Sequence, residues 1–210
     1  MNDPKRIIQT GYDLIGPRYR PWSEEAMPED VRGEYVEEVL MRLPGDTDIL
    51  ELGCGQGVDA ALLARGRRYV GIDLSAVQLD IARTDVPNGT FLQGDFTTME
   101  FPAESFDAVA SFYVFNHVPG TEQGRTFGRV HYWLRPGGFF CASLGAGKHE
   151  DMVEDDWLGV PMFFASNGRE ENERLLGEAG FWLERSELRT EQEEDQEVTF
   201  HWVIARRLVD

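Results

Sequence analysis

Cysteine is scarce in this chain, and so are basic residues and long apolar runs. Two cysteines in 210 residues, Cys54 and Cys141, do not make a disulfide framework. No apolar run approaches the roughly 20 residues of a bilayer span, so no membrane-spanning helix is expected. The start, Met1-Asn-Asp-Pro-Lys-Arg-Ile-Ile8, lacks the apolar core of a secretory signal. A cytoplasmic location is the expectation. Lysine and arginine number 20 against 38 aspartates and glutamates, a formal net charge of −18. Nucleic-acid affinity comes mostly from cations that neutralise phosphates, so nucleic acid is not an expected partner. Arg65-Gly-Arg67-Arg68 is the only dense basic cluster before Arg206-Arg207. The acidic surplus reads as a solvated, solubilising surface.

What is present is a glycine-rich turn. Ile49-Leu-Glu-Leu-Gly-Cys-Gly-Gln-Gly57 reads as a short buried strand, a turn and the start of a helix. Glycine lets a ligand approach the backbone closely, and free helix N–H groups suit an anion. A second apolar strand, Tyr69-Val-Gly-Ile-Asp-Leu-Ser75, ends in Asp73, an acid able to hold two ribose hydroxyls. Together they indicate an adenosine-containing cofactor. A dinucleotide turn would place its third glycine at position 58, which is Val58.

The rest of the chain reads as alternating strands and helices. Pro17, Pro21 and Pro28 interrupt any long helix near the start. Val31–Leu43 reads as an amphipathic helix. Strands are expected at 48–52, 68–73, 90–93, 106–111 and 139–144, with helices at 56–65, from Ser75 (capped with Gln78) and at 121–134. Residues 145–166 read as a long irregular segment, and Asn167 with Glu170 as the cap of a helix ending at Gly180. Two last strands, 181–188 and 198–205, flank an acidic turn, Glu191–Glu197, expected to be solvated. Such alternation means an α/β fold, a Rossmann-like doubly wound sheet whose ligands bind beyond the strand carboxyl ends.

The ordered motifs identify a resemblance. Glu51-Leu-Gly-Cys-Gly-Gln-Gly57, Gly71-Ile-Asp-Leu-Ser75, Gln93-Gly-Asp-Phe96, Phe106–Val118 and Leu134-Arg-Pro-Gly-Gly138 resemble, in order, the cofactor-binding segments of class I S-adenosylmethionine-dependent methyltransferases. Asn116-His117 and the short length are similar to the small-molecule subgroup that includes ubiquinone- and menaquinone-type and natural-product enzymes. The resemblance implies a single domain over 1–210. It implies a seven-stranded, mostly parallel sheet with the last strand antiparallel. It implies S-adenosylmethionine as cofactor and S-adenosylhomocysteine as product. Glu51, Gly53, Gly55 and Gly57 would face the methionine part. Asp73 would take the ribose hydroxyls, Leu74 the adenine face, and Asp95 with Phe96 the adenine edge. The backbone at Ser111 and Phe112 would face the methionyl amino group. Phe96 and Phe112 also fit a plain core role, and Cys54 fits a small residue in a crowded turn.

The acceptor side is less explicit. His117 lies beyond strand four and can serve as a base or substrate contact, or make a structural hydrogen bond. His131 and His201 read as structural. The family roofs its acceptor site with the N-terminal region, here 1–45, and an insertion after strand five, here 145–167. Their aromatic residues are Tyr12, Tyr19 and Trp22, and Trp157, Phe163 and Phe164. They suit a small apolar or aromatic acceptor, whether methylated on O, N or C. Asp151, Glu154, Asp155 and Asp156 read as facing water or attracting a cationic acceptor, with water the preferred reading. No metal is expected, because Asn116 has no convincingly placed second acid beside it. The oligomeric state is expected to be monomer or homodimer.

Overall fold

The computed structural model describes residues 3–26, 31–193 and 196–209. Strands β1 (Asp48–Leu52), β2 (Arg68–Asp73), β3 (Thr90–Gln93), β4 (Phe106–Ser111), β5 (Leu134–Gly145), β8 (Phe181–Glu193) and β9 (Gln196–Arg207) form one sheet. Its order is β3-β2-β1-β4-β5-β9-β8. The first five strands are parallel, and β9 runs antiparallel to both its neighbours. The order reverses between β1 and β4, which opens the ligand crevice at their carboxyl ends.

Alternation along each strand divides the core in two. Ile49, Tyr69, Ala108, Phe139 and Trp202 face helices α2 (Arg32–Leu40), α3 (Ala60–Leu63) and α4 (Ala76–Asp85). Leu50, Leu52, Val109, Phe140 and Val203 face α5 (Gly120–Trp133) and α6 (Arg169–Glu178). Leu50 and Leu52 are fully buried, each stabilising the fold by about 1.5–3 kcal/mol. A third core is formed where Ile8 and Ile15 of α1 (Pro4–Ala26) meet Val160, Met162 and Ala165 of β7 (Val160–Asn167).

Several local expectations are corrected. Pro17 and Pro21 lie inside the 23-residue α1. Tertiary contacts override the proline cost: Asp13 accepts from Ser75 Oγ at 2.6 Å, Arg20 donates to the Gln56 carbonyl at 2.6 Å, and Ile15 is fully buried. Pro28 lies outside the described residues. The helix expected at 56–65 is only Ala60–Leu63, because positive φ at Gly53, Gly55 and Gly57 keeps the preceding chain in turns. Its four residues carry too small a dipole for the anion site expected there. The segment 145–166 is not irregular: β6 (Lys148–Trp157) and β7 pair as an antiparallel hairpin. The stretch Glu191–Glu197 belongs largely to the β8–β9 hairpin rather than a solvated turn, with residues 194–195 outside the described set. Glu191 is buried because Trp202 Nε1, at 3.0 Å, and the Tyr113 hydroxyl, at 2.6 Å, both donate to it. Asn167 does not cap α6; Gly168 holds that position, and Asn167 donates to Gln123 instead.

Candidate functional site

Helix α1 lies across the carboxyl edge of the sheet and is tied to the turn after each of four strands. Gln56, after β1, donates to the Gly16 carbonyl. Ser75, after β2, is bound to Asp13. Asp95, after β3, pairs with Lys5 at 3.2 Å. His117, after β4, meets Tyr12 at 2.9 Å. A cavity is enclosed between α1 and these turns. Its walls include Glu51, Gly53, Gly55, Asp73, Leu74, Asp95, Phe96 and Phe112.

Gly53 has φ +68°, and a Cβ there would lie 2.3 Å from a Val114 methyl. At Gly55, φ is +49° and a Cβ would meet nothing within 4 Å, so its bare side faces open space. The Gly55 N–H donates to Asp73 Oδ2 and the Ser75 N–H to Oδ1, both at 2.9 Å. Burial pushes the Asp73 carboxyl up to about 6, with Asp13 adding repulsion against the two backbone donors. Burial likewise raises Glu51 well above the usual carboxylate range, although Tyr69 donates to it. Ser75 Oγ accepts from Gln78 N and caps α4. The Gln78 side chain does not complete the expected reciprocal cap. Its Oε1 and Nε2 are buried without a partner in the cavity wall. An orphaned amide pair and a cradle of carboxylates fit a cationic, polar adenosine cofactor.

Not every expected contact is in this wall. Ser111 is fully buried beneath it, its hydroxyl spent on the Leu52 carbonyl, and it does not line the cavity. Asp95 is engaged by Lys5, Thr97 N and Thr97 Oγ1 rather than left open. Lys5, Gln78, Arg20, Arg32 and Tyr113 line the cavity without having been singled out from the sequence. Only the Ser75–Gln78 spacing carries a signal in the sequence, that of a helix cap. Phe96 and Phe112 serve both readings, lining the cavity while packing on Phe115 and Trp202.

A second cavity of about 670 Å³ adjoins the first. Tyr12, Tyr19, Tyr113 and His117 line both, forming a shared wall. Tyr12 and Tyr19 pack edge to face at 5.3 Å, and Trp22 and Trp157 continue the aromatic surface at 5.7 Å from each other. Phe164 lines this cavity, 5.0 Å from the His117 ring. Phe163 does not. It is buried in the third core, and only its carbonyl reaches the site. Asp151 accepts from Gly120 N at the start of α5, while Glu154 and Asp156 line the second cavity instead of facing open water alone.

The hydrogen bonds at His117 fix its tautomer. Its Nδ1 lies 2.7 Å from the Phe163 carbonyl, which can only accept, so Nδ1 carries the proton. Nε2 then offers a lone pair to the Tyr12 hydroxyl. Burial lowers the imidazole to about 4 and raises the Tyr12 phenol well above its ordinary value. The pair is therefore a neutral imidazole accepting from a protonated phenol. His201 is fully buried and meets Ser186 Oγ at 2.9 Å. The His131 ring packs edge to face on Phe181 at 5.2 Å, outside both cavities.

Residues 49–138 match the family described as methyltransferase domain. With this sheet order, the chain carries a methyltransferase domain of the class I fold, a domain type whose cofactor is S-adenosylmethionine. Among relatives, a probable S-adenosylmethionine-dependent methyltransferase of Mycolicibacterium smegmatis is 31% identical over 144 residues, covering 68% of this chain and 55% of that protein. A fatty-acid O-methyltransferase of the same organism is 36% identical over 149 residues, covering 66% and 52%. The chain spans about half the length of these curated relatives. The solved structure of Burkholderia thailandensis 1,6-didemethyltoxoflavin-N1-methyltransferase, with bound 1,6-didemethyltoxoflavin and S-adenosylhomocysteine, has the same fold. Its TM-score is 0.73 at 18% identity, over 100% of this chain and 92% of that one. No helix among the described residues is long and apolar enough to cross a membrane.

Proposed function

We propose that this protein moves the methyl group of S-adenosylmethionine to a small molecule with a flat, apolar or aromatic body. The observation that carries this reading is the shared wall. Tyr12, Tyr19, Tyr113 and His117 border both the cofactor cavity and a second cavity of a size suited to a small ligand. When bound, S-adenosylmethionine supplies a methyl group on a sulfonium, already a good leaving group. The chain's task is then to align the acceptor and exclude water.

Asp73 takes the ribose hydroxyls, Leu74 and Phe96 border the adenine, and Gln78 supplies an amide to the same part. Glu51 and the backbone of Gly53–Gly57 hold the methionine end, where carboxylates suit an ammonium and a sulfonium. Helix α1 and the β6–β7 hairpin roof the site, the roles expected for 1–45 and 145–167. Tyr12 presents its oxygen to the acceptor, because its proton is committed to His117 Nε2. Its lone pairs then accept a hydrogen bond from the acceptor's hydroxyl or amine and aim the nucleophile. His117 is the positioning residue behind it, held by the Phe163 carbonyl.

The test has two stages. Calorimetry is expected to show S-adenosylhomocysteine binding and no NAD binding. Incubation with S-adenosylmethionine and a library of small aromatic molecules is expected to release S-adenosylhomocysteine only with an acceptor, and the product gains one methyl group. Cofactor binding with an unchanged product mass, as in a cyclisation, would overturn the transfer reading.

A further inference from the structure

Resting on the two-cavity reading above, we propose that the acceptor carries an amine, protonated in solution. The mouth of the second cavity holds this amine while the molecule's flat body lies along the Trp22–Trp157 wall. Glu154 and Asp156 on β6 and Glu193 and Glu197 on the β8–β9 hairpin line this cavity. No lysine or arginine is among its described lining residues. Two hairpins distant in sequence thus bring the carboxylates of Glu154, Asp156 and Glu197 to one opening, where like charges repel without a cation.

The contrast with other acids of the protein is direct. Arg185 pairs with Glu34, Glu38 and Glu187, and Arg135 with Asp48 and Asp107. The carboxylates of Glu154, Asp156 and Glu197 are exposed and make no hydrogen bond or ion pair with a described residue.

A second observation is independent of charge. Ser166 is 5% exposed, and its Oγ is buried without a partner in the wall of the same cavity. Asn116 Oδ1, also in that wall, is buried and unpartnered too. A carbonyl oxygen only accepts, so the group that satisfies Asn116 must bring an N–H or O–H. Buried polar atoms in proteins are normally paired, and these two await a polar ligand. A carboxylate-bearing acceptor would meet acids and an acceptor oxygen. A cation meets opposite charge at the rim and the negative faces of Trp22, Trp157 and Tyr19 along the wall. The exposed acids lie at the mouth and the buried His117 at the floor. The amine therefore anchors the molecule, and the atom facing Tyr12 receives the methyl group.

The experiment uses charge-matched sets on three flat bodies, phenyl, indole and naphthyl. Each body carries an ethylamine, an ethanol or a propionate chain, and each compound is titrated into the S-adenosylhomocysteine complex by calorimetry. On at least one body the amine is expected to bind about tenfold more tightly than the alcohol, the scale of two partly screened charge pairs, with the acid weakest. Raising salt from about 0.05 to about 0.5 M is expected to shrink that margin. In the double variant Glu154→Gln, Asp156→Asn the margin is expected to fall below about threefold, with S-adenosylhomocysteine affinity unchanged. Equal binding across each set, tighter binding of the acids, absence of amine binding, or a margin that survives in the variant would overturn the proposal. The same titrations without cofactor keep the amine preference readable if S-adenosylhomocysteine itself does not bind, an outcome that would sink only the methyltransfer reading.

Discussion

The two cavities are built from different material. The first is bounded by α1 on one side and by the turns that follow β1 to β4 on the other, and backbone shapes that second side: positive φ at Gly53 and Gly55, and N–H groups of Gly55 and Ser75 converging on one carboxylate. The second is bounded by side chains on α1 and on two hairpins, β6–β7 and β8–β9. A wall made of backbone accepts one ligand and resists revision. A wall made of side chains on hairpins changes with each substitution. On the proposed function, the architecture separates a fixed donor site from an adjustable acceptor site, with Tyr12 and His117 at the boundary.

The largest effect that tests this contrast is expected at Asp73. Replacing it with alanine removes the charged acceptor proposed for two ribose hydroxyls, with an expected cost of about 2–3 kcal/mol of cofactor affinity, a loss of roughly 30- to 150-fold. It also frees the Gly55 and Ser75 N–H groups, so thermal unfolding without ligand must be measured beside calorimetry with S-adenosylhomocysteine. Asp73→Asn, which still accepts hydrogen bonds, is expected to retain the fold and recover part of the affinity. Unchanged affinity in both variants would remove Asp73 from the cofactor site and leave it a clamp between two turns.

Next in size is the boundary itself. Tyr12→Phe keeps the ring that packs on Tyr19 and Trp157 and deletes only the hydroxyl. Turnover with an identified acceptor is expected to fall about 10- to 30-fold through lost alignment, with S-adenosylhomocysteine affinity held within about twofold. A drop in cofactor affinity equal to the drop in rate would mean that Tyr12 belongs to the donor side alone.

The same contrast explains what could be read from the chain. Buried strands such as Ile49–Leu52, and an acid ending the next one, are local patterns, so the turn side of the first cavity was legible within short windows. Asp73 and Gly55 needed no distant partner to be recognised. The acceptor site was legible only as composition. The aromatic richness of Tyr12–Trp22 and Trp157–Phe164 could be seen, but which rings face inward depends on hairpin pairing. Phe163 and Phe164 are adjacent, yet the first is buried in the third core and only the second lines the cavity. Pro17 and Pro21 argued against a long helix because their cost is local, whereas the contacts that outweigh it come from Gln56, Ser75 and β7. Glu191 read as solvated because its donors, Trp202 and Tyr113, lie on other segments. Lys5 was silent for the same reason, since nothing near it in sequence announces Asp95.

A smaller effect is expected from pH. Burial lifts the Asp73 carboxyl to about 6, so it is ionised at pH 7 and largely protonated at pH 5. In the proposed role, ribose hydroxyls donate to the ionised form. S-adenosylhomocysteine affinity is therefore expected to hold above the folded value and to fall as pH drops through it, by up to about tenfold between pH 7 and pH 5. The linkage to folding has the opposite sign. A carboxyl raised in the folded state binds protons more readily there than in the unfolded chain, so this group alone favours the ligand-free fold as pH falls from about 6 to 4. Calorimetry across this range on wild type and Asp73→Asn isolates the carboxyl. A slope that survives the substitution would transfer the effect to Glu51, whose burial also raises it.

The smallest effect is expected at Cys54, and it tests whether the donor wall is set by backbone. The thiol sits in the turn between Gly53 and Gly55, 5% exposed, and a Cβ on Gly71 would come within 2.8 Å of its sulfur. Burial and the neighbouring Asp73 and Glu51 carboxylates push it well above the ordinary thiol range, so it carries no thiolate at neutral pH. Its part in the site is its backbone N–H, bonded to the Ile72 carbonyl at 2.9 Å, and alanine keeps that bond. Cys54→Ala is therefore expected to cost about 1 kcal/mol in stability from the small void. Cofactor affinity and turnover are expected to stay within about twofold of wild type, a tolerance consistent with backbone-built walls. A tenfold loss of affinity in a variant that unfolds normally would show that a side chain shapes the donor turn after all, and the distinction between the two cavities would collapse at its strongest point.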